Sequence, residues 1–231
     1  MGMLGGNGLP SEEPNMKPIS CLAVHFVAGA LVVALAVPAV AAKKWRVYTD
    51  CVLRMGEKGN ENKYEEANDG DSFHVTIGSL KSADASHKLF RLYFVDTPES
   101  DSSLPERLED QRKYWDLPDL QTVVRCGKEA KMFTRRFLAQ GGGKFTAYSK
   151  LQDALGRSKK DRDYAMIRNA LGEDLGLALA RNGYVRVSGM TVDLSELDEY
   201  GKTAQRWNHE LKAAEDKARA ERRGCWAYST N

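Results

Sequence analysis

Apolar and polar side chains alternate strictly along residues 71–77, with Phe73, Val75 and Ile77 on one face and Gly78 closing the run. That period of two predicts a half-buried strand. Residues 88–95 repeat it, with Phe90, Leu92 and Phe94 facing one way and Arg91, Tyr93 and Val95 the other. The run stops at Asp96-Thr97-Pro98-Glu99, where proline forbids continuation. Further strands are predicted over 45–53, ahead of a polar loop at Gly56, Gly59 and Asn60, and over 144–150 and 162–167. The period then becomes helical in three places. Over 127–140 Ala130, Phe133 and Phe137 share a stripe; over 173–182 Leu175 and Leu179 turn inward; over 200–223 Trp207, Leu211, Ala214 and Ala218 form one face. Residues 100–126 are polar, carry Pro105 and Pro118, and are too long for an idle loop. Strands, helix, strands, helix, helix is an α+β order, not an alternating βαβ one.

One stretch has neither period. Residues 19–42 lack Asp, Glu, Lys and Arg, follow Lys17, and end abruptly at Lys43-Lys44. Pro38 interrupts the run, and Ala39-Val40-Ala41 offers the small residues that a signal peptidase reads. Basic start, apolar middle and small-residue end make a secretory signal. The stretch is also long enough to span a bilayer, so retention would make it a membrane anchor. Residues 1–15 are Gly-rich and carry Glu12 and Glu13, and Met16-Lys17 is a more natural start for such a signal. The expected organisation is an N-terminal extension and signal peptide (or anchor) over 1–42 and a folded domain over 43–231. That domain is expected to be secreted or periplasmic, or tethered outside the cytoplasm through residues 19–42.

Composition narrows the picture only a little. The 231 residues are 42% hydrophobic and 29% charged, which is globular and argues against disorder. Net charge is +2, and residues 43–231 carry 33 basic against 30 acidic groups, which announces no nucleic-acid partner. Three of the four cysteines, Cys51, Cys126 and Cys225, fall in the folded part, none in C-x-x-C spacing, which removes a zinc ribbon. One bridge and one thiol can be drawn in three ways, and three unpaired thiols are equally open. The histidines (His25, His74, His87, His209) are scattered, giving a His-based site little support. No P-loop, nucleophile elbow or dinucleotide fingerprint is present.

Candidate chemistry lies at strand ends. If the strands over 71–77 and 88–95 pair antiparallel, Asp71 at the start of one meets Asp96 and Glu99 past the end of the other. Clustered carboxylates repel unless a cation intervenes, and an all-oxygen set selects Ca²⁺ or Mg²⁺. The plainer reading of Asp69-Gly70-Asp71 is a turn. Arg91 and Arg157 are suited to bind a phosphate ester through paired N–H groups. The plainer readings are an ion pair from Arg91 to Asp96 and a solvated turn at Arg157.

Several blocks of sequence resemble the staphylococcal nuclease (thermonuclease-like) family. They are Asn68-Asp69-Gly70-Asp71-Ser72, the run Phe90-Arg91-Leu92-Tyr93-Phe94-Val95-Asp96-Thr97-Pro98-Glu99, Gly127-Lys128-Glu129-Ala130, and Leu155-Gly156-Arg157. Arg181-Asn182-Gly183-Tyr184 and Gly224-Cys225-Trp226 are similar too, so the likeness extends over about 47–228. The resemblance implies a five-stranded OB-fold β-barrel with three α-helices. It implies Ca²⁺ held by Asp71, Asp96 and the Thr97 carbonyl, and a catalytic set of Arg91, Glu99 and Arg157. Glu99 would activate or position water, and the two arginines would bind the scissile phosphate. DNA and RNA are the implied substrates, cut by a monomer with no obligate protein partner. The alternative is an OB-fold module that binds single strands without cutting them, for which the Arg91, Glu99 and Arg157 set would be superfluous. Departures from the family are the longer stretch between Glu99 and Gly127, Leu155 in place of an aromatic, and no tyrosines over 185–191.

Overall fold

The computed structural model of the chain describes residues 45–78, 86–154, 162–188 and 202–231. The segment 1–42 and Arg157 lie outside these residues. Among the described residues, no helix is long and apolar enough to cross a membrane.

The chain begins with four strands, β1 (Arg46–Leu53), β2 (Ser72–Ile77), β3 (Ser86–Leu92) and β4 (Val95–Asp96). Two helices follow, α1 (Pro105–Trp115) and α2 (Leu120–Ala139), then strands β5 (Lys144–Asp153) and β6 (Asp163–Asn169). Helix α3 (Leu175–Arg181), the two-residue strand β7 (Arg186–Val187) and helix α4 (Ala204–Ala220) complete the order. The barrel closes as β1-β2-β3-β6-β5, with β3 and β6 parallel and each other pair antiparallel. This is a five-stranded OB-type barrel in an α+β fold. Among the described residues it carries four α-helices where three were expected. The inward half of the alternation fills it: Phe73, Val75, Phe90, Phe145 and Ile167 are buried.

Three expectations need correction. The outward face of β2 is not solvated: His74 and Thr76 are 7% and 2% exposed. The loop after β1 folds over this face, laying the Tyr64 ring 4.4 Å from that of His74 and 5.1 Å from that of His87. Those two histidines, distant in sequence, also meet with Nδ1 and Nε2 2.8 Å apart.

The run 88–95 is two strands rather than one. Phe94 has φ +67°, a left-handed conformation rare for an aromatic residue, and it turns the chain out of the barrel. β4 then pairs with β7, Val95 opposite Val187 and Asp96 opposite Arg186. Periodicity did not reveal the break because Leu92, Tyr93, Phe94 and Val95 are all buried, whichever way they point.

The polar stretch 100–126 is largely helical. Pro105 opens α1, where its missing N–H costs nothing, and Leu108, Gln111 and Trp115 line the buried face. Asp116 closes α1 with φ +53°, its N–H donating to the carbonyls of Arg112 and Lys113. The next helix starts seven residues before the expected Gly127, capped by Asp119, whose Oδ1 accepts the Thr122 N–H at 2.7 Å. Gly127 therefore lies inside α2, and a Cβ there would sit 2.2 Å from the Glu99 carbonyl oxygen. Only glycine lets α2 press so close against the Pro98–Glu99 backbone. Leu108, Trp115, Val123, Cys126, Cys225 and Trp226 belong to a second apolar cluster, separate from the barrel core.

Candidate active site

The antiparallel pairing of β2 with β3 sets Ser72 opposite Arg91, so Asp71 lies beside the end of β3. Arg91 reaches across this end. Its Nη2 lies 3.0 Å from Asp71 Oδ2 and 2.6 Å from Asp96 Oδ1. Two buried carboxylates thus converge on one nitrogen. The pairing of β4 with β7 brings a second cation, with Arg186 Nε donating to Asp96 Oδ2 at 2.8 Å. A third comes from α1: Arg107 Nη2 donates to Asp96 Oδ1 and Arg107 Nε donates to Glu99 Oε1.

The backbone carrying Thr97 and Glu99 is fixed by one side chain. Gln111, fully buried on α1, donates from Nε2 to the Thr97 carbonyl at 3.1 Å and accepts the Glu99 N–H on Oε1 at 2.9 Å. The Thr97 N–H points to Asp71 Oδ2 at 3.4 Å. On the other side, a Cβ on Gly70 would approach Thr97 Cγ2 to 2.7 Å. Residues 96–99 are therefore wedged between α2, α1 and the turn before β2.

Charge is distributed unevenly. Burial alone would raise Asp96, but Arg107, Arg91 and Arg186 outweigh it and hold the carboxyl below its ordinary range. Asp71 is pushed up by burial, which Arg91 only partly offsets. Glu99 is likewise raised by burial against the pull of Arg107. Asp69, bonded by the Ser100 hydroxyl, is pushed up to about 7 by burial, with the Asp71 and Glu99 charges adding to it.

Asp69, Asp71, Arg91, Asp96, Thr97, Glu99, Arg107 and Arg186 line a cleft of about 820 Å³. Arg162, at the start of β6, also lines it, and its buried Nε has no hydrogen-bond partner among the described residues. Burial and the neighbouring Arg91 pull this guanidinium below its ordinary value.

A hard cation fits these donors. Asp71, Asp96 and the Thr97 carbonyl are all oxygen, the two carboxylates already share one cationic nitrogen, and the buried Thr97 Oγ1 has no hydrogen-bond partner among the described residues. Among the described residues no three Asp, Glu, His or Cys side chains gather as a metal-ligand group, so a bound cation would keep several waters.

Five of the six residues singled out in the sequence, Asp71, Arg91, Asp96, Thr97 and Glu99, are thus brought to one cleft. Arg107, Gln111, Arg162 and Arg186 were missed. For α1 a signal existed: Pro105 in first position, then Leu108, Gln111 and Trp115 at helical spacing. For Arg186 no local signal existed, because its place depends on the pairing of β7 with β4.

Residues 89–228 match the family described as staphylococcal nuclease homologue. The matched stretch includes Arg91, Asp96, Thr97, Glu99 and Arg157, while Asp71 precedes it. Among curated proteins no sequence matches the chain.

Proposed function

The chain belongs to the staphylococcal nuclease family, and from that premise we propose that it is a Ca²⁺-dependent phosphodiesterase that hydrolyses DNA and RNA outside the cytoplasm. Residues 43–231 would be the nuclease domain, released by cleavage of the signal in 1–42. The observation that carries this reading is the position of Glu99. It lies beside the convergent Asp71–Arg91–Asp96 group, with its Oε1 held by Arg107 and its backbone held by Gln111. A module that only binds strands has no use for a partly buried, raised carboxylate fixed at both ends.

Asp71, Asp96 and the Thr97 carbonyl would hold Ca²⁺, which when bound supplies Lewis acidity and a template for the phosphate. Glu99 Oε2, the oxygen not bonded to Arg107, accepts the proton of the attacking water. Burial raises the affinity of Glu99 for that proton and so suits it to the task. Arg91 and Arg162 face the cleft as phosphate ligands, with Arg157 as the family-implied third. The Nε of Arg162, without an acceptor among the described residues, gains one when a phosphodiester oxygen enters. As negative charge grows on the phosphate, a planar guanidinium can meet two oxygens at once. The leaving alkoxide takes a proton from solvent at the open side of the cleft.

Digestion of single-stranded DNA and of RNA, in Ca²⁺, in Mg²⁺ and in chelator, tests the reading. Cleavage is expected in Ca²⁺, little in Mg²⁺, whose strict octahedral demand this sparse donor set meets poorly, and none in chelator. Equal cleavage in chelator would remove the metal assignment. Binding without cleavage under all three conditions would turn the protein into the strand-binding module.

A further inference from the structure

Away from the cleft, the second apolar cluster joins the first half of α2 to the short turn Gly224–Tyr228 near the end of the chain. It contains Cys126 and Cys225, both fully buried, and none of the groups assigned to catalysis. Both are buried free thiols in this structure, and both belong to this one cluster. Cys51 is elsewhere, in the barrel core, with its thiol on the Tyr48 carbonyl at 3.3 Å. The sequence allows three pairings; the fold leaves one.

The terminal turn is held in place by its backbone. The Cys225 N–H donates to the Gly183 carbonyl at 3.0 Å, and a Cβ on Gly183 would lie 2.2 Å from the Arg223 carbonyl oxygen. Trp226 packs against Trp115 of α1, ring centroids 6.3 Å apart. A bond between the two cysteines would close a loop of ~100 residues. The pair also lies beneath α1, the helix that carries Arg107 and Gln111 to the cleft.

We propose that Cys126 and Cys225 form a structural disulfide when the chain folds in an oxidising compartment, and that Cys51 stays a thiol. The oxidant is another disulfide, small-molecule or protein. One cysteine thiolate attacks it and displaces a thiolate, giving a mixed disulfide. The second cysteine thiolate then attacks the protein sulfur of that bond and displaces the other thiolate. Two protein thiols and one disulfide become one protein disulfide and two thiols. Two electrons pass to the oxidant, and the two thiol protons end on its released sulfurs. Burial pushes the Cys225 thiol well above its ordinary value, so thiolate attack inside the closed cluster is slow. The bond accordingly forms before the terminal turn closes on α2, and afterwards resists reductant unless the protein unfolds.

The full chain, refolded in a mixture of oxidised and reduced glutathione, is alkylated under denaturing conditions and mapped by mass spectrometry. The expected result is one linked peptide pair containing Cys126 and Cys225, with Cys21 and Cys51 alkylated. Alkylated Cys126 and Cys225, or a link to Cys51 or Cys21, overturns the proposal. Thermal unfolding supplies a second reading. Oxidised protein should melt on the order of 10 °C above protein unfolded and refolded with strong reductant. Cys51→Ala should keep that difference and Cys126→Ala should lose it. If Cys126→Ala fails to fold, Cys51→Ala still decides, because absence of both the link and the difference in that variant defeats the proposal.

Discussion

Asp96 takes three guanidiniums while Asp71, equally buried, pairs directly with Arg91. Arg91 is thus the link between an over-neutralised carboxylate and an under-neutralised one. Arg91→Lys conserves the charge but not the planar fork, and an ammonium is a more strongly hydrated point charge. Loss of kcat/KM is expected on the order of 10²-fold, falling largely on KM. Some loss of thermal stability should accompany it, because Asp71 and Asp96 no longer share one rigid donor. Steady-state kinetics beside thermal unfolding measure both; unchanged kcat/KM in a folded variant would mean that charge alone suffices. At this scale much of the site was legible. Asp71, Asp96 and Glu99 sit at strand termini, and a single pairing rule brought them together. The partners of Asp96 were not legible, because Arg107 and Arg186 reach it from elements that follow it by 11 and 90 residues.

Helix α1 lines the cleft with Glu106, Arg107 and Asp110, and its polar sequence hid a helix because its buried stripe includes a glutamine. That Gln111 satisfies the Thr97 carbonyl and the Glu99 N–H together. Gln111→Leu keeps the volume but strands both groups, at a cost of about 2–4 kcal/mol in unfolding free energy. Because it also frees Glu99, kcat should drop more than KM changes. Urea titration and kinetics of the same preparation check this, and a variant with parental stability would show that the two backbone groups find other partners. Helix α3 offers a pH test. Its cap Asp174 accepts the Leu177 N–H at 2.8 Å, yet burial pushes its carboxyl up to about 6. An acid with a raised folded pKa binds its proton more tightly when folded, so stability is lost as pH rises from about 4 to about 6 and stays lost above. Asp174→Asn keeps the cap without the charge. It should therefore melt higher than the parent at pH 7.5 and about equally at pH 4. A variant that is less stable at pH 7.5 would mean that the carboxylate's cap bond outweighs its burial.

The described domain holds a closed barrel whose five strands were each expected from the sequence, two of them from strict alternation, and whose helical additions could be read only in part. Strand β4 escaped because a left-handed Phe94 leaves no mark on hydrophobic period, and β7 because two residues make no pattern. The small residues Ala39-Val40-Ala41 before Lys43-Lys44 lead us to expect a mature N-terminus near Ala42 or Lys43, and N-terminal sequencing of exported protein measures it. Recovery of the full-length chain only in membranes would favour an anchor. We propose that this barrel cuts strands, with Glu99 moving the proton, rather than merely holding them. The most direct measurement pairs two quantities on one oligonucleotide in saturating Ca²⁺: affinity and cleavage rate, for the parent and for Glu99→Gln. Glutamine keeps the shape and can accept Arg107's bond, but cannot take up the proton. Affinity should be kept while the rate falls by about 10²–10⁴-fold. Equal cleavage rates in parent and variant, or a parent that binds and never cleaves, would contradict the account.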